Sequence, residues 1–155
     1  MSGEIDSIPI FKPCQVLELN DAKVSSIDHA NKKQYVVGDS KGVLTLYQIG
    51  KDNNSSTPVG DPIRLGKSKV TKLACLSTNN LMVAAIMDSN LYVANFANGT
   101  QELILKNAIN FSYWQGEQGK PKIFVMAKNK CCAYKLNFDA QSLQGVFELE
   151  KVKLD

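Results

Sequence analysis

The chain has 155 residues, 44% apolar and 21% charged, with a formal net charge of +3. That length can carry one domain with a real core, and the composition is that of an ordinary soluble globular protein. The weak charge comes from scattered lysines, and Arg64 is the single arginine, which argues against nucleic-acid recognition, where arginine dominates. The longest apolar stretch, Leu81 to Met87, falls far short of the roughly 20 residues that span a bilayer.

Met1 to Ser7 is polar, carries Glu4 and Asp6, and reads as neither a secretory signal nor a membrane anchor, so a cytoplasmic location is expected. Pro9 and Pro13 keep the next segment extended. Gln15 to Leu19 (QVLEL) predicts a short extra N-terminal strand, ended by Asn20-Asp21. Val24 to Ala30 is a second short strand, with Val24 and Ile27 apolar. Gln34 to Ile49 is the clearest element, a β-hairpin turning at Asp39-Ser40-Lys41-Gly42. Gly42 takes the positive φ, and Asp39 and Ser40 satisfy the turn's backbone. Val43, Thr45, Tyr47 and Ile49 fall on one face and Leu44, Leu46 and Gln48 on the other. Both faces are mostly apolar, so both are expected to be covered. Gly50 to Asp61 reads as a long surface loop, and Pro62 to Leu65 as a short edge strand.

The pattern then repeats. Val70 to Leu76, the apolar run Leu81 to Met87, the turn Asp88-Ser89-Asn90 echoing Asp39-Ser40-Lys41, Leu91 to Phe96, and Gln101 to Leu105 form a second set of strands. Ala108 to Trp114, Pro121 to Lys128, the turn Asn129-Lys130, Cys131 to Leu136, and Val146 to Leu154 form a third, with loops at Gln115 to Lys120 and Asn137 to Gly145. Asp139 to Phe147 is the nearest candidate for a helix, with Gly145 inside it and no caps. Copies roughly 40 to 48 residues apart with four short strands each have the period of a propeller blade.

The predicted fold is therefore all-β. It is a β-propeller-type array of four-stranded antiparallel blades at about 24–65, 70–105 and 108–154, a single partial domain over 1–155. Propellers close with about 4 to 8 blades. An open array leaves two apolar end faces bare, so the chain is expected to be the N-terminal part of a longer propeller, to pair with another chain, or to close as some other sandwich. The first is favoured because the sequence stops in a charged strand without a terminator. Alone, the chain is expected to associate or aggregate.

No chemistry is offered. Cys14, Cys75, Cys131 and Cys132 form no CxxC pair and His29 is the only histidine, so no metal site is expected. Cys131 and Cys132 are adjacent in a strand and point to opposite faces. Glu18, Asp28, Asp39 and Asp88 are the carboxylates near strand ends. Asp39 and Asp88 hold equivalent turn positions, and neither Asp28 nor His29 has a placed nucleophile. No phosphate-binding, nucleotide-binding or protease motif occurs, so neither a catalytic residue nor a cofactor is predicted, and the chain is expected not to be an enzyme. Phe111, Tyr113 and Trp114 are either a binding patch or core, core being favoured. Lys32-Lys33 and Lys67, Lys69 and Lys72 read as solvated loop charges. The sequons at Asn53, Asn54, Asn98 and Asn110 carry no meaning without a secretory signal.

The blades lack the Gly-His and Trp-Asp pairs of WD40 repeats. The order Val24-Ser25-Ser26-Ile27, Tyr35 to Tyr47, Val70-Thr71-Lys72-Leu73, Leu81 to Met87, Asp88 to Val93 and Phe124 to Lys130 resembles the citron homology domain. Ile10-Phe11-Lys12-Pro13 before QVLEL is similar to the start of endolysosomal tethering subunits, the HOPS/CORVET Vam/Vps and TGF-β receptor-associated protein class. The resemblance runs from about Ile8 to Val152. It implies a protein-interaction platform in endosome, lysosome or vacuole tethering that binds a Rab-type small GTPase or companion tether subunits. Membranes would be reached only through partners, and no nucleic acid would be bound. The family also implies an alternative, a regulatory domain that binds small GTPases in signalling. A generic propeller scaffold is a further reading, with the partner-binding residues unassigned.

Overall fold

The computed structural model describes residues 17–76, 81–114, 122–127, 130–137 and 148–152. Every regular element in them is a β-strand, and all strand pairs are antiparallel. Sheet one holds β1 (Val24–His29), β2 (Gln34–Asp39), β3 (Val43–Ile49), β4 (Ser56–Pro58) and β5 (Ile63–Arg64). Sheet two holds β6 (Val70–Cys75), β7 (Met82–Met87), β8 (Asn90–Asn95) and β9 (Thr100–Lys106). Sheet three holds β10 (Ala108–Trp114), β11 (Lys122–Ala127), β12 (Lys130–Asn137) and β13 (Glu148–Val152). Sheets two and three are up-and-down meanders in sequence order, and sheet one follows the same order through β4, with β5 returning to pair β3, so connections are local.

The three first strands share one irregularity. The register slips between Val24 and Ser26 in β1, between Val70 and Lys72 in β6, and between Ala108 and Asn110 in β10. One extra residue at that point is a β-bulge, and it moves the residue three positions on to the face of the first. Val24 therefore shares a face with Ile27, Val70 with Leu73, and Ala108 with Phe111. The bulged residues behave alike too: the Ser25 hydroxyl donates to the Gly38 carbonyl at 3.0 Å, and the Thr71 hydroxyl to the equivalent Ile86 carbonyl at 3.2 Å.

The sheets stack face to face in an open array that does not close on itself. Val36, Leu44, Leu46, Ile63 and Leu65 of sheet one pack against Val70, Leu73, Val83, Ala85, Met87 and Ala94 of sheet two. The other face of sheet two, with Met82, Ala84, Ile86, Leu91 and Val93, packs on Ala108, Phe111, Ile123 and Val125 of sheet three. All six residues of β7 are buried, which is why MVAAIM shows no alternation: a strand covered on both faces has no wet side to mark. The first strands run side by side in the same sense. Ser25 Oγ, whose one proton is shared with the Gly38 carbonyl, also lies 2.6 Å from the Val70 carbonyl oxygen, and the Cys75 N–H donates to Asp28 Oδ2 at 2.8 Å. Farther along, Tyr113 Oη donates to the Leu76 carbonyl at 2.6 Å. At Gly38 the approach is so close that a Cβ would lie 2.6 Å from Val70 Cγ1.

The opening hairpin forms as expected, and its faces are covered by different partners. Leu44 and Leu46 face sheet two, while Tyr35, Val37 and Tyr47 gather on the outer face with Leu17, Leu19 and Ile49. The Tyr35 and Tyr47 rings stack at 5.6 Å. Gly42 has φ +82°, and Asp39 Oδ1 accepts from the Lys41 N–H at 2.8 Å and the Val43 N–H at 3.2 Å.

Three expectations are corrected. Leu17 to Leu19 is not a strand; it lies across the face of sheet one, where its leucines pack on Tyr35, Val37 and Tyr47 in place of joining a backbone ladder. Gln15 and Val16 lie outside the described residues. The segment 50–61 is not all loop: its end pairs with the C-terminal half of β3 as β4, and β5 pairs with the N-terminal half, so the fourth strand is split around Gly60. The two hairpin turns are not equivalent. Asp88 and Ser89, at φ +53° and +58°, are the two central residues of a mirror-image tight turn, whereas Asp39 precedes its turn and braces it. The loops at 115–120 and 138–145, the turn residue Asn129, the helix candidate at 139–147 and the 10–13 segment lie outside the described residues.

Candidate functional site

The residues weighed for chemistry are structural in the fold. Asp28 spends one carboxylate oxygen on the Cys75 N–H, and the other accepts from the His29 N–H at 3.0 Å. His29 Nδ1 sits 3.4 Å from that second oxygen, with its ring 85% exposed. The nearest sulfur is inert: burial first, then the Asp28 charge, pushes the Cys75 thiol up to about 12, so it stays protonated at neutral pH. Asp28 and Cys75 thus tie sheet one to sheet two, His29 stays at the surface beside Asp28, and the Cys75 thiol is no nucleophile. Among the described residues no cluster of three or more His, Cys, Asp or Glu could hold a metal ion. Cys75 is a free thiol.

The aromatic candidates divide. Phe111 is buried between sheets two and three, and Tyr113 packs beside it with its hydroxyl bonded to Leu76; burial raises that phenol's pKa. Both are core, as favoured. The side chain of Trp114 lies outside the described residues, as do those of Cys131 and Cys132. Lys72 is corrected from a solvated loop charge. It lies in β6, and its ammonium donates to Asn110 Oδ1 at 2.6 Å and to the Phe111 carbonyl, 5.0 Å from the Phe111 ring centroid.

What is left to meet a partner is the loops. Because the sheets are meanders whose first strands run in one sense, the connections fall on two rims. The turns 30–33, 50–55 and 96–99 share one rim, which carries Asn31, Asn53, Asn54 and Asn98 together with the exposed Lys32, Lys33 and Lys51. There Asp52 Oδ1 accepts from the Asn54 N–H at 3.0 Å and Ser55 Oγ at 3.2 Å, and these bonds hold its carboxyl below the usual range.

The opposite rim also carries cations, and there the structure brings them together from separate segments. Ser40 and Lys23 exchange hydrogen bonds: the Ser40 N–H donates to the Lys23 carbonyl at 2.8 Å and the Lys23 N–H to Ser40 Oγ at 3.0 Å. A Cβ on Gly42 would lie 2.8 Å from the carbonyl oxygens of both Gly66 and Ser68, so the 39–42 turn sits directly on the 65–69 loop. Arg64 braces that junction from within, its guanidinium donating to the Gly66 carbonyl at 3.1 Å and reaching the Lys41 carbonyl at 3.4 Å. Three touching segments therefore carry the exposed Lys23, Lys41, Lys67 and Lys69, and Lys106 closes the same rim of sheet two. Asp21, Asp39 and Asp88 share the rim, but the Asp39 carboxylate is turned onto backbone N–H groups. Clustering of this kind is invisible in sequence, because the lysines come together only when the turn seats on the loop. Such a rim attracts an acidic protein surface and repels a basic one.

Compared with known proteins, the chain matches no family model and no curated protein.

Proposed function

We propose that this chain is part of a β-propeller-type platform whose work is binding other proteins, in the manner of the citron homology domains that its sequence resembles. The proposed partners are a Rab-type small GTPase and subunits of an endosomal, lysosomal or vacuolar tethering complex, with membranes reached through those partners. No bond is made or broken by this domain. The observation that carries the reading is one plan used three times: the same strand order, the same bulge in the first strand, and the same seating of each sheet on the next. Radial repetition of four-stranded sheets is how propellers hold loops on two rims for recognition. The lysine-bearing rim supports a partner with an acidic face, recruited by charge more than by contact area.

The test is capture on the immobilised chain of Rab-type GTPases loaded with GTP or GDP, alongside capture from cytosol. Retention of a GTPase or a tether subunit is expected, weakened about tenfold or more by the combined charge reversal Lys41→Glu, Lys67→Glu and Lys69→Glu and by added salt. Recovery of neither a GTPase nor a tether subunit overturns the proposal.

A further inference from the structure

The two ends of the stack are the unmatched halves of the interface that the chain already builds twice. On the side that faces a preceding sheet, Val70 and Leu73 of β6 bury against sheet one, and Ala108 and Phe111 of β10 bury against sheet two. The register puts Val24 and Ile27 of β1 in those same positions: Ile27 pairs with Val37 as Leu73 pairs with Ala85 and Phe111 with Val125. Among the described residues no sheet covers them, and they are 47% and 59% exposed. On the side that faces a following sheet, Val36 and Gly38 of β2 and Ala84 and Ile86 of β7 lie under the next first strand. Their equivalents in β11 are Phe124 and Met126, which are 38% and 49% exposed. Apolar side chains at matching positions are thus buried wherever a neighbour exists and bare only at the two ends.

The cover on sheet one leaves this half open. Leu17 and Leu19 lie over Tyr35, Val37 and Tyr47, on β2 and β3, and leave β1 bare. In both internal interfaces it is the first strand of the following sheet that seats on its neighbour.

We propose that a second copy of this chain fills the vacant place, head to tail, with Val24 and Ile27 of one copy seated on Phe124 and Met126 of the other. The occupant follows from continuity with the two interfaces already present: each copy supplies the half that the other lacks. A contact of this heterologous kind closes or runs on as a filament depending on the turn per sheet. Two copies of three sheets make the smallest ring within the range of about 4 to 8 sheets at which such rings close. The inference rests on the equivalence of the sheets and is independent of which partner binds the rims.

The experiment is sedimentation of the whole chain from about 1 to 100 µM, for the wild type and for Ile27→Lys and Phe124→Lys made separately. Both positions are exposed within the chain, so far-UV circular dichroism should stay close to wild type. The wild type is expected at twice the 17.0 kDa chain mass or above, and each variant alone as a monomer. An equimolar mixture of the two variants should recover a dimer, because it restores one intact contact between the unmutated Phe124 face and the unmutated Ile27 face. A wild-type monomer throughout the range overturns the proposal. So does association that survives either substitution, or a mixture that stays monomeric.

Discussion

Leu73 in β6 and Ile27 in β1 hold one register position in two sheets of one plan, yet Leu73 is buried between sheets and Ile27 is open to solvent. The same holds for Ile86 and Met126 on the opposite side. Among the described residues the middle sheet is covered by a sheet on both faces, and each outer sheet on one. What separates them is surroundings and not strand chemistry. Burial here is a property of position in the stack, and an identical apolar residue contributes stability in one sheet and an adhesive surface in another.

The sharpest way to break the comparison is truncation at matched positions. Ile86→Ala removes methylenes packed between sheets two and three and should cost about 2–5 kcal/mol in urea unfolding. Met126→Ala, at the equivalent exposed position, should stay within about 0.5 kcal/mol at concentrations where the chain is monomeric. Equal losses at the two sites would mean that the end face is covered after all.

A second contrast lies in the turns. Gly42→Ala places a Cβ at φ +82° and 2.8 Å from two carbonyl oxygens, and should destabilise by about 1–3 kcal/mol. Ser89→Gly relieves a left-handed non-glycine residue in the turn of sheet two and should stabilise by up to about 1 kcal/mol. Thermal midpoints moving in opposite directions would bear this out.

A further contrast is a pH dependence confined to the junction of sheets one and two. The folded Cys75 thiol holds its proton up to about 12, whereas the unfolded thiol releases it near 9.0. The folded state therefore binds more protons above that lower value. This group's contribution is fully present below pH 9 and is lost as pH rises toward 12, at up to about 1.4 kcal/mol per unit. Comparison of wild type with Cys75→Ala from pH 8 to pH 10 should show a steeper decline in the wild type.

Much of the fold is written locally. The Gln34–Ile49 hairpin announces itself through paired apolar runs and the glycine that its turn requires, and MVAAIM announces a strand covered on both sides. Less legible is anything that depends on register. The spacing of three between Val24 and Ile27, Val70 and Leu73, and Ala108 and Phe111 is the trace of the bulge, but strict alternation would put those residues on opposite faces. The QVLEL pattern alternates as a strand should, yet Leu17 and Leu19 reach a face that has no free backbone partner. Lys72 reads as a surface charge because its acceptors, Asn110 and the Phe111 carbonyl, lie on another sheet. The lysine-bearing rim is likewise a product of loops meeting in space, with Lys23, Lys41 and Lys67 far apart along the chain.

The largely sequential strand order also governs how the chain reaches this state. With nearly every strand paired to its neighbours in sequence, and β5 only one strand removed from its partner β3, loop closure costs little before contacts repay it, and a hairpin forms in about 1–10 µs. A ribosome delivers about 5–20 residues per second, so a sheet of about 40 residues takes seconds to emerge. Each meander can therefore zip up long before the next exists. Sheet one must wait on the nascent chain with Val36, Leu44 and Leu46 uncovered until β6 arrives, and sheet two waits in turn for β10. During synthesis sheets one and two each pass through a stage in which the face that the next sheet will cover is open to water.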